Sequence, residues 1–227
     1  MIVYGKRIFY YILENHREIV KEIILSKKLD KKEFAKLQKF NIPIKIADNK
    51  KAQSLAKGGN HQGYFLDIEF TPKIKHLNEL NSVLVLDNIT DMGNIGAIIR
   101  TAYSFGIDEV IVTGINELKY ENVIRMSAGA AIDMPILVIK NILDVINNLK
   151  TSGFKIVGAD MNGTHSIKSD NQKIALIMGS EGEGLSKRVK SKLDETISIE
   201  MKRNFDSLNV SVASGILMDR IWNGQNN

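Results

Sequence analysis

With 227 residues and 44% hydrophobic content, the chain can hold one large domain or two small ones around a packed core. It has no cysteine, which excludes disulfides, zinc–thiolate centres and thiol nucleophiles and fits a reducing compartment. The net charge of +5 is unevenly spread: residues 1–79 carry 16 Lys and Arg against 9 Asp and Glu, residues 80–227 carry 15 against 17, so the first part is the one suited to a polyanion.

From the N-terminus, Ile8, Tyr11 and Ile12 give Tyr4 to His16 a helical period. Lys6, Arg7, Glu14 and His16 interrupt that stretch too often for a signal peptide. No later apolar run is long enough for a membrane span, and a cytoplasmic protein is expected. Ile19 to Leu25 reads as a strand, Lys31 to Phe40 as an amphipathic helix with Phe34 and Leu37 inward, and Ile42 to Ile46 and Tyr64 to Phe70 as further strands, with Gly58-Gly59-Asn60 as a loop. Residues 1–70 thus form a small α/β unit, and the polar stretch 71–81, which contains Pro72, is the expected linker.

Beyond it, strand and helix patterns alternate. Strands are expected at Val83–Asp87, Glu109–Thr113, Pro135–Ile139, Lys155–Ala159, Ile174–Met178 and Thr196–Glu200, and helices at Ile95–Phe105, Asn122–Ala131, Ile142–Lys150 and Leu208–Trp222. Continuous apolar strands separated by helices predict a mostly parallel sheet with helices on both faces over residues 82–227.

Three patches stand out. Gly179-Ser-Glu181-Gly-Glu-Gly-Leu-Ser follows the strand ending at Met178, where open α/β sheets bind ligands. It is neither a Walker loop nor a Gly-x-Gly-x-x-Gly turn, and its two glutamates suit an uncharged or cationic ligand better than a pyrophosphate. In Asn94-Ile-Gly-Ala-Ile-Ile-Arg100-Thr-Ala102, Ile95, Ile98, Ile99 and Ala102 make an apolar stripe, with Asn94 as a candidate N-cap and Gly106 as a C-terminal stop. Arg100 has no acid three or four residues away and must reach solvent, a distant carboxylate or a phosphate. Ser207-Leu-Asn209-Val-Ser-Val-Ala213 opens the last helix; capping accounts for one of Ser207 and Asn209, not for both.

In order and spacing these patches, preceded in the third case by Ile199-Glu-Met-Lys-Arg203, resemble the three motifs of the SpoU (TrmH) family of RNA methyltransferases in the SPOUT superfamily. Val123-Ile-Arg125-Met-Ser127-Ala-Gly-Ala130 looks like a further family segment, and Tyr4-Gly5 with His61-Gln62-Gly63 resembles the small module, akin to a ribosomal protein, of the two-domain ribosomal RNA branch. The resemblance implies a C-terminal trefoil knot, an obligate homodimer, and transfer of a methyl group from S-adenosyl-L-methionine to a ribose 2′-hydroxyl, with a guanosine of 23S ribosomal RNA as the expected target and no metal. A transfer-RNA ribose and a non-catalytic RNA-binding scaffold are the competing readings; intact Arg100, Glu181 and Asn209 speak against the scaffold. By resemblance, Arg100, Asn94, Glu181, Ser207 and Asn209 would act on the substrate, and Gly179, Ile199 and Leu208 would hold the donor. Where the family commonly has Ile-Pro-Met-x-Gly, this chain has Glu200 and Arg203 in the Pro and Gly places.

Overall fold

The computed structural model describes residues 1–166, 172–203 and 207–223. The chain opens with β1 (Ile2–Tyr4), α1 (Lys6–Asn15), β2 (Val20–Leu25), α2 (Lys31–Gln38), β3 (Ile44–Ile46), α3 (Asn49–Leu55) and β4 (Tyr64–Ile68). Its strands form a mixed sheet in the order β1-β4-β2-β3, with β4 antiparallel to both neighbours and β2 parallel to β3. α1 turns Ile8, Phe9, Ile12 and Leu13 inward. Asp30 and Asp48 cap α2 and α3, each accepting a backbone N–H at 2.7 Å. Two elements carry no clear signal in the sequence. β1 is three residues long, too short to show an alternation, and α3 buries only Ala52, so it has no apolar stripe.

The expected linker is tied down along its length. Lys73 reaches Asp133 at 2.7 Å and Lys75 reaches Asp108 at 3.4 Å, Leu77–Glu79 makes a 3-10 turn, and Leu80 is fully buried.

The second part runs through β5 (Ser82–Asp87), α4 (Met92–Ser104), β6 (Glu109–Thr113), α5 (Tyr120–Met126), β7 (Ile136–Ile139), α6 (Ile142–Thr151), β8 (Lys155–Thr164), β9 (Ile174–Met178), α7 (Lys187–Lys190), β10 (Glu195–Ile197) and α8 (Val210–Met218). Its strands lie in the order β10-β8-β9-β5-β6-β7, every neighbouring pair parallel. Alternate residues of one strand enter different cores. Leu84 and Leu86 of β5 join Ile95, Ile98, Ile99, Val123, Val210 and Leu217 from α4, α5 and α8. Val83 and Val85 join Val145, Ile146 and Leu149 of α6 and Val189 of α7. Helices therefore cover both faces, as the continuous apolar strands required.

Several boundaries differ from expectation; the strand expected over Thr196–Glu200, for one, is β10 and ends at Ile197. β8 continues to Thr164 because β10 pairs with it twice, at Val157–Gly158 and again at Thr164, so residues 159–163 loop out between the two contacts. The helix expected over Asn122–Ala131 ends at Met126. Gly129 then takes φ 102°, and a 3-10 turn follows at Ala130–Ile132. The last helix passes from α at Met218 into a π turn over Asp219–Asn223.

The two parts touch along α5 and the turn after it. A Cβ on Gly129 would lie 2.3 Å from the Tyr11 ring, so only glycine admits α1 this closely. Arg125 lies over the Tyr4 ring at 4.3 Å, His16 Nε2 sits 3.0 Å from Asp133 Oδ2, and the Phe70 and Tyr120 rings are 5.2 Å apart. This gives the segment Val123–Ala130 a role that the sequence did not reveal: it is the seat of the N-terminal module. No helix among the described residues is long and apolar enough to cross a membrane.

Candidate active site

The first two motif patches leave the carboxyl ends of adjacent parallel strands, β5 and β9, and the third is brought to them by α8 packing on α4. α4 begins three residues earlier than its apolar stripe suggests. Asp91, not Asn94, is its N-cap, accepting the Asn94 N–H at 2.7 Å. The Asn94 side chain is thereby released for other partners. Gly96 is required by packing: a Cβ there would sit 2.4 Å from Met126 Cβ and 2.9 Å from the Met126 carbonyl carbon.

Glu181, from the loop after β9, gathers the motifs. Its Oε1 accepts the Asn209 side-chain amide at 2.7 Å, the Val210 backbone N–H at 3.2 Å and the Asn94 side-chain amide at 3.3 Å. Asn209 also donates to Asn94 Oδ1 at 3.0 Å. At the same time Asn209 caps α8, its Oδ1 accepting the Ser211 N–H at 2.9 Å. A carboxylate at the N-terminus of α8 also lies at the positive end of that helix. Three of the five residues expected to act on substrate thus share one hydrogen-bonded cluster.

Beside this cluster lies a pocket of about 700 Å³ walled by three segments: the looped-out residues 159–162 of β8, the loop 178–185, and residues 197–201 with 207, 208 and 210. Gly179, Ile199 and Leu208, the expected donor-binding residues, all line it, and so does Ser207. Residues 204–206 of the third patch lie outside the described residues. Gly179 is fixed by its surroundings, since a Cβ would come within 2.4 Å of the Gly184 backbone, which bridges back to Ser180. Two wall residues were not anticipated. Asp160 pairs with Lys190, which together with the Asn162 N–H holds its carboxyl below the usual range. Ser198 donates to the Gly163 carbonyl at 2.8 Å, lies 3.1 Å from His165 Nδ1, and receives the Arg220 guanidinium on its own carbonyl at 3.1 Å. Neither residue lies in a motif, and the loop-out that presents them depends on β8–β10 pairing.

Arg100 stands apart from the cluster. Six residues beyond Asn94, it is about 9 Å further along the helix axis and on another face. It is exposed, and among the described residues its guanidinium has no hydrogen-bond or ion-pair partner. It opens onto a second cavity of about 690 Å³, between the two parts of the chain, lined also by Lys6, Arg7, Tyr10 and Tyr103.

The profile of the SpoU rRNA Methylase family matches residues 81–219, and that of the RNA 2′-O ribose methyltransferase substrate binding domain matches residues 2–72. The chain belongs to the SpoU rRNA methylase family. It is similar to an uncharacterized tRNA/rRNA methyltransferase of Borreliella burgdorferi, 37% identical over 84% of this chain and 92% of the relative. It is 31% identical to the 23S rRNA (guanosine-2′-O-)-methyltransferase RlmB of Neisseria meningitidis, over 90% of this chain and 87% of that one. In fold it resembles the SpoU methyltransferase AviRb from Streptomyces viridochromogenes, solved in complex with the cofactor AdoMet, with a TM-score of 0.77, 22% identity, and 99% and 90% of the two chains covered.

Membership makes this SpoU chain an RNA methyltransferase that uses S-adenosylmethionine. The pocket fits that donor on its own terms. Its volume lies in the range of small-molecule sites. Met178, Ile197, Leu208 and Leu217 offer an apolar floor, and the glycine loop exposes backbone groups. Glu181, Glu183 and Glu200 give the rim the acidic character that a cationic sulfonium favours.

Proposed function

We propose that this SpoU enzyme methylates the 2′-hydroxyl of a guanosine in 23S ribosomal RNA. The reading rests chiefly on the Glu181 cluster, which joins all three motifs at the rim of the donor pocket. The ribosomal target is supported by the RlmB relative and by the substrate-binding match over residues 2–72.

When bound, S-adenosylmethionine supplies an electrophilic methyl group. The protein's task is then to bring the ribose hydroxyl in line with it and to stabilise charge as the hydroxyl proton leaves. Asn94, Glu181 and Asn209 hold a fixed set of polar groups beside the pocket. Ser207, on the pocket wall with no competing bond among the described residues, is available to the ribose. Arg100 is permanently cationic and a poor base. It grips the phosphate next to the target ribose, so the nucleotide is held at both ends. Gly179, Ile199 and Leu208 hold the donor, largely through backbone groups.

Residues 1–70 act as the RNA-binding domain, 71–81 as its linker, and 82–227 as a knotted catalytic domain that works as a homodimer in the cytoplasm. The family supports the knot, and so does the sheet order, in which β9 lies inside β8 and the chain returns after β10 to pack α8 on α4. The dimer is supported by α8, nine residues without a single charge, whose Val212 is 51% exposed. Light scattering that gives a monomer at micromolar concentration would contradict the dimer. Mapping of 2′-O-methyl groups in ribosomal and transfer RNA from a deletion strain tests the target: loss at one 23S guanosine is expected, and loss only in transfer RNA overturns it.

A further inference from the structure

We propose that a single RNA strand lies in a groove along the outer face of α1, from the Lys36–Lys39 end of α2 to Arg100 of α4. The inference rests on the methyltransferase reading and names the surface that feeds its site.

Two cavities flank α1. The one that contains Arg100 has a neighbour of about 800 Å³ lined by Arg17, Lys36 and Lys39, and the two share Lys6, Tyr10 and Glu14. Shared walls make them one continuous track. Positions 6, 10 and 14 repeat every four residues, so they form a stripe on the helix, opposite the buried Ile8, Phe9, Ile12 and Leu13.

The track is strongly cationic. Seven Lys and Arg side chains line it against three carboxylates. Two of those carboxylates are already committed. Asp30 caps α2, and Glu33 accepts the hydroxyls of Tyr10 and Tyr64 at 2.6 Å each. The side chains of Arg7, Arg17, Lys36, Lys39 and Arg100, in contrast, have no hydrogen-bond or ion-pair partner among the described residues. Unpaired cations in a row fit a phosphate backbone, whose neutralisation releases counterions.

An open aromatic ring marks one end of the track: Tyr103, 43% exposed, lines the same cavity as Arg100. A cationic groove ending at an open aromatic ring is how single strands are held, with phosphates on cations and a base stacked on the ring. The polarity is also productive, because Arg100 shares α4 with Asn94, which meets the Glu181 cluster.

The test uses the full-length protein and fluorescence anisotropy with a single-stranded 12-nucleotide RNA, its duplex, and an unmodified 23S transcript. The double variant Lys36→Ala/Lys39→Ala should weaken single-strand binding at least about tenfold, and should reduce the salt slope by about 0.7 for each phosphate that is no longer neutralised. Tyr103→Ala should cost about tenfold at unchanged salt slope, because stacking is not ionic. The control Lys50→Ala/Lys51→Ala removes the same charge from α3 of the same module, where neither lysine lines the track. It should change neither quantity. Equal weakening by both lysine pairs would overturn the proposal in favour of diffuse charge. Tighter binding of the duplex than of the single strand would overturn the single-strand groove. Because binding is read without turnover, a protein that binds here yet transfers no methyl group would refute the methyltransferase reading and leave the groove standing.

Discussion

Asn209 donates its side-chain amide to Glu181 Oε1 at 2.7 Å, joining the start of the last helix to the glycine loop 28 residues earlier. The same carboxylate oxygen takes two further donors, so its charge organises the cluster. Glu181→Gln keeps the shape but replaces the carboxylate with a group that brings donors of its own. Methyl transfer should fall by about 10²-fold, the scale set by loss of a preorganised electrostatic contact. Donor affinity from calorimetry should fall by less, about tenfold at most, or roughly 1.4 kcal/mol, because Glu181 is one of three glutamates on the pocket lining; an affinity loss as large as the rate loss would reduce its role to donor binding.

Arg100→Ala should reduce transfer by at least about 10²-fold while leaving the melting temperature near wild type, because the guanidinium is exposed and has no partner among the described residues. Arg100→Lys should fail almost as badly, since an ammonium cannot present the planar fork that grips a phosphate in two places. Single-turnover rates check both variants, and a variant that keeps most of its rate would remove Arg100 from the account.

Two motif glycines should behave differently. Gly96→Ala pushes a methyl against Met126 and the Met126 backbone and should cost about 1–3 kcal/mol, or roughly 2–12 °C in melting temperature for a chain of this size. Gly182→Ala meets nothing within 4 Å and should be near neutral in stability. Thermal melts of the two variants side by side decide the matter; equal shifts would mean that the α4–α5 contact is looser than it looks.

Glu109 lies buried at the opposite end of β6 from the site, and burial pushes its carboxyl up to about 6 from 4.5. A carboxyl that holds its proton more tightly when folded favours the folded state below pH 4.5. That advantage is lost as pH rises through about 6, so ionised Glu109 is a burden at neutral pH. Glu109→Gln should therefore stabilise the protein at pH 7 by about 2 kcal/mol relative to its effect below pH 4.5. Denaturant titrations at pH 4 and pH 7 check this; a variant less stable at pH 7 than at pH 4, relative to wild type, contradicts it.

Most of the fold was legible because its signals are local. Continuous apolar runs such as Val83–Asp87 and Ile174–Met178 mark strands covered on both faces, and the structure keeps those bounds within one residue. Gly179, Ile199 and Leu208, which the family resemblance assigns to the donor, line one pocket. What escaped depends on distant pairing. Asn94 reads as a cap because it precedes an apolar stripe, yet Asp91 takes that role and frees it. Asp160 and Ser198 reach the pocket only because β10 meets β8 on both sides of a loop-out. Lys6, Arg7 and Tyr10 sit near Arg100 only because Gly129 lets α1 dock on the catalytic part, and no periodicity records a docking surface between two modules.

The reaction proposed for this enzyme is methyl transfer to a ribose of ribosomal RNA. The purified full chain should be incubated with methyl-labelled S-adenosylmethionine and unmodified 23S transcript, and the RNA then digested by alkali. A 2′-O-methyl group blocks cleavage at its own phosphodiester, so the label should appear in one alkali-resistant dinucleotide that begins with guanosine, and should be absent with Arg100→Ala. Label in mononucleotides, the mark of base methylation, or no label beyond the Arg100→Ala background, would contradict the account.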